Sequence, residues 1–207
     1  MSTFQSKSAF VYTQVRRALR SGRFVPGQRI DPAAIAEEFR TSATPVRFAL
    51  YRLVGEGLIV DHARSGLHVP LFTEVALRDQ YDWMRRLLLM ACGIDAAASH
   101  ATIPMAVPSD ENTACLTWQL FDAIGRTADH RPLHQAVERT NDQLAPIRLA
   151  GREPVAHASE ELAALIRHWQ NGDAPSLAAG LDAYHERRIR LVPRIVASLG
   201  DEPDLPY

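Results

Sequence analysis

The chain has 207 residues, with 23 Lys and Arg against 24 Asp and Glu and a formal net charge of −1. This length allows one large or two small domains, and a composition of 46% hydrophobic and 7% aromatic residues is typical of a soluble, largely helical protein. The longest apolar run, Leu87 to Cys92, is too short to cross a bilayer, and the N-terminus lacks the apolar core of a signal peptide. We therefore expect a cytoplasmic protein that does not associate with membranes.

The charge is unevenly distributed along the chain. Residues 1–70 hold ten Lys and Arg and five Asp and Glu, which gives this part a net charge of +5. The remaining residues hold 13 basic and 19 acidic side chains, a net charge of −6. A basic first third followed by an acidic remainder is typical of a module that binds a polyanion, attached to a domain with another role.

In chain order, the basic part contains signals for three helices and a hairpin. Asp31-Pro32 combines a capping side chain with a proline at the first helical position, and Thr44-Pro45 does the same for the next helix, with Thr44 as the N-cap. Three helices and two short strands within roughly 70 residues predict a winged helix-turn-helix. The first predicted helix covers 8–21, the second runs from Asp31 to Arg40-Thr41, and the third covers 42–53. The two predicted strands cover 58–60 and 67–69.

The third helix has two distinct faces. At about 100° per residue, one face is aliphatic and the opposite face carries Thr44, Arg47, Phe48 and Tyr51. An arginine and hydroxyl groups beside exposed aromatic rings suit a DNA major groove, although an ordinary amphipathic helix has a similar pattern. We predict that this helix, the residues next to it and the hairpin wing contact DNA. The alternative for the wing is an ordinary surface turn. The predicted DNA-binding residues are Arg40, Ser42, Thr44, Arg47, Tyr51, Arg52, His62, Arg64 and Gly66.

Five segments in unbroken register resemble the DNA-binding domain of the GntR family of bacterial transcription regulators. They are Val25-Pro26-Gly27-Gln28-Arg29-Ile30, residues 35–39, residues 42–53, Glu56-Gly57-Leu58-Ile59, and Gly66 before Val69. The resemblance implies that Thr44 and Arg47 occupy DNA-contacting positions. Two departures, Ala43 where relatives carry an arginine and Phe48 where they carry an acid, predict an operator that differs from the usual one in the family. Phe48 then packs either on thymine methyl groups or sugars, or on the second domain.

Beyond the wing the sequence predicts helices only. They cover 73–99, about 109–126, 131–149, 160–170 and 174–199, with Trp83, Leu87, Met90, Ala91 and Ile94 at core spacing in the first of them. Short connections favour an antiparallel bundle. We therefore predict a mainly α fold with two domains, a winged helix-turn-helix over 1–72 and an all-helical bundle over 73–207. The bundle resembles the FCD ligand-sensing domain of the FadR subfamily in the segment from Glu161 through Asn171-Gly172-Asp173 and in the segment from Phe121 through Asp129–Leu133.

Many FCD relatives bind a metal through one aspartate and three histidines. The corresponding positions here are Thr117, Phe121, Leu162 and Tyr184, so we expect neither that metal nor another cofactor. His185 is one residue from the last position and does not restore the site, because a shift of one residue rotates a helix face by about 100°.

An effector site is predicted in the same region. The arginine that anchors the effector in relatives is displaced to Arg85, next to Met84. Trp118, Phe121 and Tyr184 either fill core volume or, together with Arg85, line an apolar effector site.

His130 and His134 with Asp129 have a spacing that can hold zinc, but two histidines with no certain third ligand are more typical of a surface. No paired carboxylates, nucleophile–base arrangement or phosphate loop points to an enzyme. The predicted function is a homodimeric transcription regulator, a repressor that responds to a small molecule and binds a palindromic operator in double-stranded DNA. The alternative is a DNA-binding regulator whose helical domain only dimerises.

Overall fold

The computed structural model describes residues 6–94, 106–109, 111–150 and 157–200. The chain divides between Leu71 and Phe72 into two compact units. The first unit contains the helices α1 (Lys7–Arg20), α2 (Pro32–Glu38) and α3 (Ala43–Gly55) and the strands β1 (Val60–His62) and β2 (Gly66–His68). The second contains the helices α4 (Glu74–Ile94), α5 (Thr113–Thr127), α6 (Arg131–Ala150), α7 (Ala158–Gln170) and α8 (Ala174–Gly200). The predicted fold class, a winged helix-turn-helix followed by a helical domain, is confirmed.

Local capping residues set where the first helices begin. The Ser6 hydroxyl accepts a hydrogen bond from the Ala9 amide. The Asp31 carboxylate, directly before Pro32, accepts one from the Ala33 amide. At α3 the N-cap is Ser42, so the prediction of Thr44 as the cap is wrong by two residues. Pro45 remains in the first turn, where backbone N–H groups have no partner inside the helix and a proline removes nothing.

The core of the first unit is aliphatic. The helices α1 and α2 both pack on α3, whose buried side chains are Val46, Ala49, Leu50 and Leu53, the four that the helical period predicts. These residues join a single buried cluster with side chains from α1 and from the chain around the wing. Because one side of α3 is fixed by this packing, its opposite side is directed to solvent.

The wing is a small antiparallel hairpin with a third extended segment beside it. The strand β1 pairs with β2 so that Val60 faces His68. Backbone hydrogen bonds join the Ile30 amide to the Leu67 carbonyl at 2.8 Å and the Gly27 amide to the Val69 carbonyl at 3.0 Å. The strands lie within two residues of their predicted positions, and the sheet ties the start of α2 to the wing.

The second unit is built around α4. This helix packs on α8, α6 and α5, while α7 packs on α8 and α5. Two glycines permit close helix contacts, because a Cβ on Gly125 would lie 2.9 Å from Val137 and one on Gly180 would lie 2.7 Å from Leu165. In the part of the chain that the structure describes, no helix combines the length and apolar character needed to cross a membrane.

The buried face of α4 differs from the predicted one. Leu87 and Ala91 are buried as expected, but Trp83, Met90 and Ile94 are about half exposed. The core face consists of Leu77, Tyr81, Met84, Leu87, Leu88 and Ala91. The sequence offered two overlapping apolar stripes on this helix, and packing against α8 selected the one that contains Tyr81 and Met84.

Candidate functional site

The outer face of α3 presents the side chains that the sequence predicted. Ser42, Thr44, Arg47, Phe48 and Tyr51 are all exposed, and Phe48 keeps 70% and Tyr51 55% of its accessible surface. Val46 and Leu50 on the inner side are fully buried. Two large exposed aromatic residues on one short helix are unusual for a solvated face, because each keeps apolar surface in water.

Arg47 is a free cation on this face. Among the described residues it makes no ion pair and no side-chain hydrogen bond, and no carboxylate lies in the first turns of α3. Its guanidinium keeps all five donors for a partner outside the unit. Such a group can bind the O6 and N7 atoms of guanine side-on or bind a phosphate.

Arg52, predicted to lie near the DNA backbone, also makes contacts within its own domain. Its Nε donates to Glu56 Oε1 at 3.2 Å, and its guanidinium lies 3.8 Å from the centroid of the Tyr12 ring. The Tyr12 hydroxyl donates to Glu56 Oε2 at 2.7 Å, and burial together with this bond raises the Tyr12 pKa. Arg52 therefore helps to fix α3 on α1, while its side chain remains 60% exposed.

The turn between α2 and α3 holds Arg40 in an uncommon conformation. Its φ is +48°, in the left-handed region that non-glycine residues rarely adopt. The Arg40 amide donates to the Glu37 carbonyl and the Thr41 amide to the Ala36 carbonyl, which closes α2 before α3 begins. The Arg40 side chain is exposed just ahead of the first turn of α3, as predicted.

The wing turn exposes His62 and Arg64, and its geometry depends on Gly66. The φ of Gly66 is +84°, although a Cβ at this position would meet nothing within 4 Å. The requirement for glycine is therefore conformational. The His68 Nδ1 donates a hydrogen bond to the Gly66 carbonyl, 3.0 Å away, and the His68 ring lies 5.3 Å from the His62 ring. Because the carbonyl can only accept, His68 Nδ1 carries the proton.

In the second unit, the four positions that the sequence resemblance matched to metal ligands are all buried. Thr117, Phe121, Leu162 and Tyr184 are each at most 2% exposed. Phenylalanine and leucine have no donor atom, so these residues do not fit the metal. Within the described ranges no three His, Cys, Asp or Glu side chains cluster closely enough to hold an ion. His134 instead bonds Asp122 at 2.9 Å, and Arg126 bonds the same carboxylate.

The predicted effector residues divide into two groups. Phe121 and Tyr184 meet edge to face with their ring centroids 5.4 Å apart, and the Trp118 indole donates to Asp142 at 2.9 Å. Arg85 is only partly buried, and its guanidinium pairs with Asp182 at 2.5 Å. Arg85 is therefore already paired with a carboxylate of the protein, whereas the rings of Phe121 and Tyr184 are buried inside the unit.

Sequence analysis missed a cluster of polar side chains around Phe121. Arg148 is 5% exposed and Asn141 and His185 are fully buried. The Arg148 guanidinium lies 5.3 Å from the Phe121 centroid, and the His185 ring stacks on the same ring at 5.6 Å. A signal for two of them was present, since Val137, Asn141, Leu144 and Arg148 fall within about 60° on the helical wheel of α6.

The buried arginines of this unit differ in their partners. Arg188 is 1% exposed and pairs with Glu161, which itself is 12% exposed. Arg148 has Asn141 Oδ1 as its hydrogen-bond acceptor at 2.8 Å, and its buried Nε and Nη2 have no hydrogen-bond partner in the described part of the chain. A buried cation without a counter-charge costs several kcal/mol unless other groups compensate.

His185 experiences this positive field. Burial, opposed by its hydrogen bond to the Leu181 carbonyl and reinforced by Arg148, Arg188 and Arg85, lowers its pKa to about 3. The imidazole is therefore neutral at physiological pH. Its Nδ1 lies 2.7 Å from the Leu181 carbonyl oxygen, so Nδ1 carries the proton and Nε2, which is buried and unpartnered, is an acceptor.

Residues 7–69 match the model of a family described as bacterial regulatory proteins, gntR family. The HTH-type transcriptional regulator YdhC of Bacillus subtilis (strain 168) is 32% identical over 62 residues, which are 30% of this chain and 28% of that protein. The Nta operon transcriptional regulator of Aminobacter aminovorans is 33% identical over 82 residues, 40% of this chain and 38% of that protein. The alignments thus span well under half the length of these curated relatives.

Solved structures share the fold over nearly the whole chain. McbR/YncC of E. coli superimposes with a TM-score of 0.68 at 19% identity, over 91% of this chain and 98% of that one. A regulator titled GntR from Rhodococcus sp. RHA1 gives a TM-score of 0.62 at 18% identity, over 96% and 100%. At this identity the likeness concerns the fold alone. Over residues 7–69 the first unit, a winged helix-turn-helix, is similar to the family described as bacterial regulatory proteins, gntR family.

Proposed function

We propose that the chain is a sequence-specific, DNA-binding transcription regulator of the GntR family. The observation that carries this proposal is the outer face of α3, where Arg47 stands uncompensated between Thr44 and Tyr51 on a helix whose inner side is fixed in the core. A helix anchored in this way can enter the major groove with base-reading donors in front. The names of both curated relatives, which describe transcriptional regulators, agree with this role.

The residues around α3 have complementary roles in this proposal. Ser42 and Thr44 lie at the start of the helix, where hydroxyls and backbone N–H groups suit phosphates and base edges. Arg40 and Arg52 flank the face and contact the backbone, with Arg52 held in place by Glu56. Phe48 and Tyr51 supply apolar contact to thymine methyl groups or sugars. Since Ala43 offers no donor, the operator differs from the one that is usual in the family.

The wing supplies a second set of DNA contacts. Gly66 turns the hairpin so that His62 and Arg64 project at its tip. The backbone approaches a phosphate or the minor groove at this tip, and Arg64 adds positive charge where the groove is narrow. Contacts of this kind position the domain and make binding depend on salt.

The helical unit acts as an FCD-type, FadR-subfamily sensing and dimerisation domain in this proposal. Two copies of the chain pair so that their winged helices reach successive faces of a palindromic operator. A small-molecule effector bound inside the helical unit changes operator affinity and relieves repression, and the protein acts in the cytoplasm. The polar cluster around Phe121 supports an internal site, because a domain that only dimerises has no need for unpartnered buried donors.

The test is a DNA-binding experiment on the full chain. An operator is first selected from random duplex DNA, and binding is then followed by fluorescence anisotropy. Because a bidentate arginine–guanine contact is worth about 1–3 kcal/mol, Arg47→Ala is expected to weaken specific binding by roughly 5- to 150-fold. It should also relax the base preference at one position of each half-site.

Arg17→Ala is the matched control for this experiment. It removes the same charge from an exposed position on α1 instead of α3. Only the general electrostatic part of binding should fall, and base preference should not change. Unchanged operator affinity in Arg47→Ala, or failure to select any preferred sequence, would contradict the proposal.

A further inference from the structure

Arg52 is held by two neighbours in the first unit. Its Nε donates to Glu56 Oε1 at 3.2 Å, and its guanidinium lies 3.8 Å from the centroid of the Tyr12 ring. The Tyr12 hydroxyl donates to the other carboxylate oxygen, Glu56 Oε2, at 2.7 Å. The three side chains therefore form a closed ring of contacts between α1 and the end of α3.

The two neighbours of Arg52 are themselves fixed. Tyr12 is 8% exposed and belongs to the buried cluster of the first unit. Glu56 caps the end of α3, and its amide donates to the Arg52 carbonyl at 3.1 Å. Burial and the bond to Glu56 raise the Tyr12 pKa, so the hydroxyl remains a donor at neutral pH. An arginine between such partners loses little further freedom when it binds a ligand.

Arg52 still offers donors to a partner outside the unit. Its side chain is 60% exposed, and no residue that the structure describes makes a hydrogen bond with its Nη1 or Nη2 group. These two groups carry four of the five N–H donors of a guanidinium. Phosphate oxygens are well-suited acceptors for them, because the hydrogen bonds are then reinforced by charge.

The charge around the Tyr12 ring is positive although Glu56 is present. Arg16 on α1 lies 5.9 Å from the centroid of this ring, and Arg16, Arg52 and Glu56 are the charged groups that act on the Tyr12 hydroxyl. Two cations thus meet one carboxylate, whose two oxygens accept hydrogen bonds from Arg52 and Tyr12. An anion is therefore attracted to the exposed side of Arg52.

The position of Arg52 on α3 indicates which anion it meets. Arg52 follows Phe48 by four residues, which places it one turn farther along α3 and about 40° around the helix. It therefore lies at the edge of the outer face. The centre of a helix that enters the major groove meets the bases, while its edges pass the phosphate backbone.

We propose that Tyr12 and Glu56 are positioning residues, which hold Arg52 as a preorganised ligand for a phosphate of the DNA backbone. This role rests on the proposed DNA-binding function and adds to it a nearly buried residue of α1. The ring and the carboxylate restrict Arg52 before DNA arrives, so less conformational freedom is lost on binding. A Glu56 that acted only through its charge would repel DNA, so the two roles predict opposite effects of its removal.

The positioning is tested first on the full chain without DNA. Heteronuclear NMR measures the exchange of the arginine Nε–H protons with solvent, and the Arg52 signal is assigned from its loss in Arg52→Lys. We expect exchange at Arg52 to be slower than at Arg47 by about threefold or more. Tyr12→Leu and Glu56→Ala should each remove this difference. Exchange at Arg52 as fast as at Arg47 in the wild type would overturn the proposal.

Binding to the selected operator is then measured by fluorescence anisotropy over a series of salt concentrations. Tyr12→Leu leaves the charge unchanged, and it should weaken binding by about 2- to 12-fold because the freedom of Arg52 is then lost on binding. Tyr12→Phe keeps the ring and should bind more tightly than Tyr12→Leu. Glu56→Ala should weaken binding although it removes a negative charge. Tighter binding by Glu56→Ala would overturn the proposal.

A double-mutant cycle separates positioning from a general effect on the fold. Arg52→Ala should weaken binding and reduce the slope of the salt dependence by about one. In that background Tyr12→Leu should cause no further loss, because Tyr12 acts through Arg52. Phe10→Leu makes the same kind of change at an exposed residue of α1 and should leave operator affinity unchanged. If Tyr12→Leu does not fold, Glu56→Ala supplies the same cycle.

Two outcomes of the cycle and the binding assay are distinguishable. Losses that add in full, in variants whose unfolding free energy is measured alongside, would show that Tyr12 only stabilises the fold. This inference alone would then fail, since the wild type still binds its operator. A wild-type chain that selects no operator would contradict the proposed function and the phosphate contact together.

Discussion

The two units of this protein use arginine in opposite ways. In the winged helix-turn-helix, Arg47 stands in solvent on a helix whose aliphatic side fills the core. In the helical unit, Arg148 and Arg188 lie inside, at 5% and at most 1% exposure, among aromatic rings. An exposed guanidinium costs little to keep and is available to a large polyanion. A buried one requires a compensating charge, either from the protein or from a ligand.

This contrast indicates whether the binding groups of each unit lie at its surface or in its interior. The surface that we propose for DNA binding depends on exposed side chains of α3, so its partner approaches from outside. The interior cluster consists of polar side chains that the fold has removed from water. Arg188 pairs with Glu161, whereas Arg148 has no carboxylate partner among the residues that the structure describes. Three experiments sharpen the contrast.

The largest effect is expected from breaking the internal ion pair. Glu161→Gln leaves the buried charge of Arg188 without its counter-ion, and we expect the free energy of unfolding of the helical unit to fall by about 3–5 kcal/mol. All three tryptophans of the chain lie in this unit, so urea unfolding followed by tryptophan fluorescence reports on it directly. Glu160→Gln, at an exposed position on the same helix, should change stability by less than about 0.5 kcal/mol. Equal effects of the two substitutions would show that Arg188 is not held by Glu161.

The pH dependence of stability is expected to be the next largest effect. Because the folded-state pKa of His185 is lowered to about 3, this side chain stays neutral in the native protein while it takes up a proton in the unfolded chain below about pH 6.5. The unfolded state therefore binds more protons, and stability is lost as the pH falls from about 6.5 towards 3. Between pH 7 and pH 5 the loss from this group is about 2 kcal/mol.

His185→Phe should lack this part of the pH dependence. The measurement is the difference in unfolding free energy between pH 7 and pH 5, again by tryptophan fluorescence. His168→Gln, which removes a partly exposed histidine of α7, serves as the control and should retain the wild-type difference. The assignment fails if His185→Phe loses as much stability on acidification as the wild type.

The smallest effect is expected in the wing. Gly66→Ala places a Cβ in open space but on a backbone with φ of +84°, so the cost is conformational and amounts to about 1–2 kcal/mol. Hydrogen exchange of the β1 and β2 amides measures it locally. Gly55→Ala is the matched control, because a Cβ there also meets nothing within 4 Å but the residue ends a regular helix. That variant should be neutral or up to about 1 kcal/mol more stable. Equally fast exchange in both variants would show that the positive φ of Gly66 is not the cause.

The sequence predicted the first unit more accurately than the second. Asp31-Pro32 marked the start of α2, and the helical period identified all four buried residues of α3, because these signals are local. The cap of α3 was misplaced by two residues, since Ser42 and Thr44 are both good capping residues and only the path of the turn decides between them. In α4, Trp83, Met90 and Ile94 were assigned to the core and are half exposed.

The interior site required the tertiary structure. Phe121 and Tyr184 were predicted to be near an effector, and they do meet, but Arg85 is paired with Asp182. Arg148 and Asn141 lie on the apolar stripe of α6, a pattern that a helical wheel can show but cannot distinguish from a tolerated polar residue. His185 was set aside because it is one residue from the family position, yet α8 buries it completely.

The sequence by itself determined the order of the helices, the faces of α3 and the basic character of the first 70 residues. Periodicity, capping and charge depend only on residues that are close together in the chain. Only the tertiary structure decided which polar side chains of the helical unit are desolvated and which of them lack partners. Burial and hydrogen-bond partners arise from residues far apart in the chain, as Phe121, Arg148 and His185 come from three different helices. No local pattern contains that information.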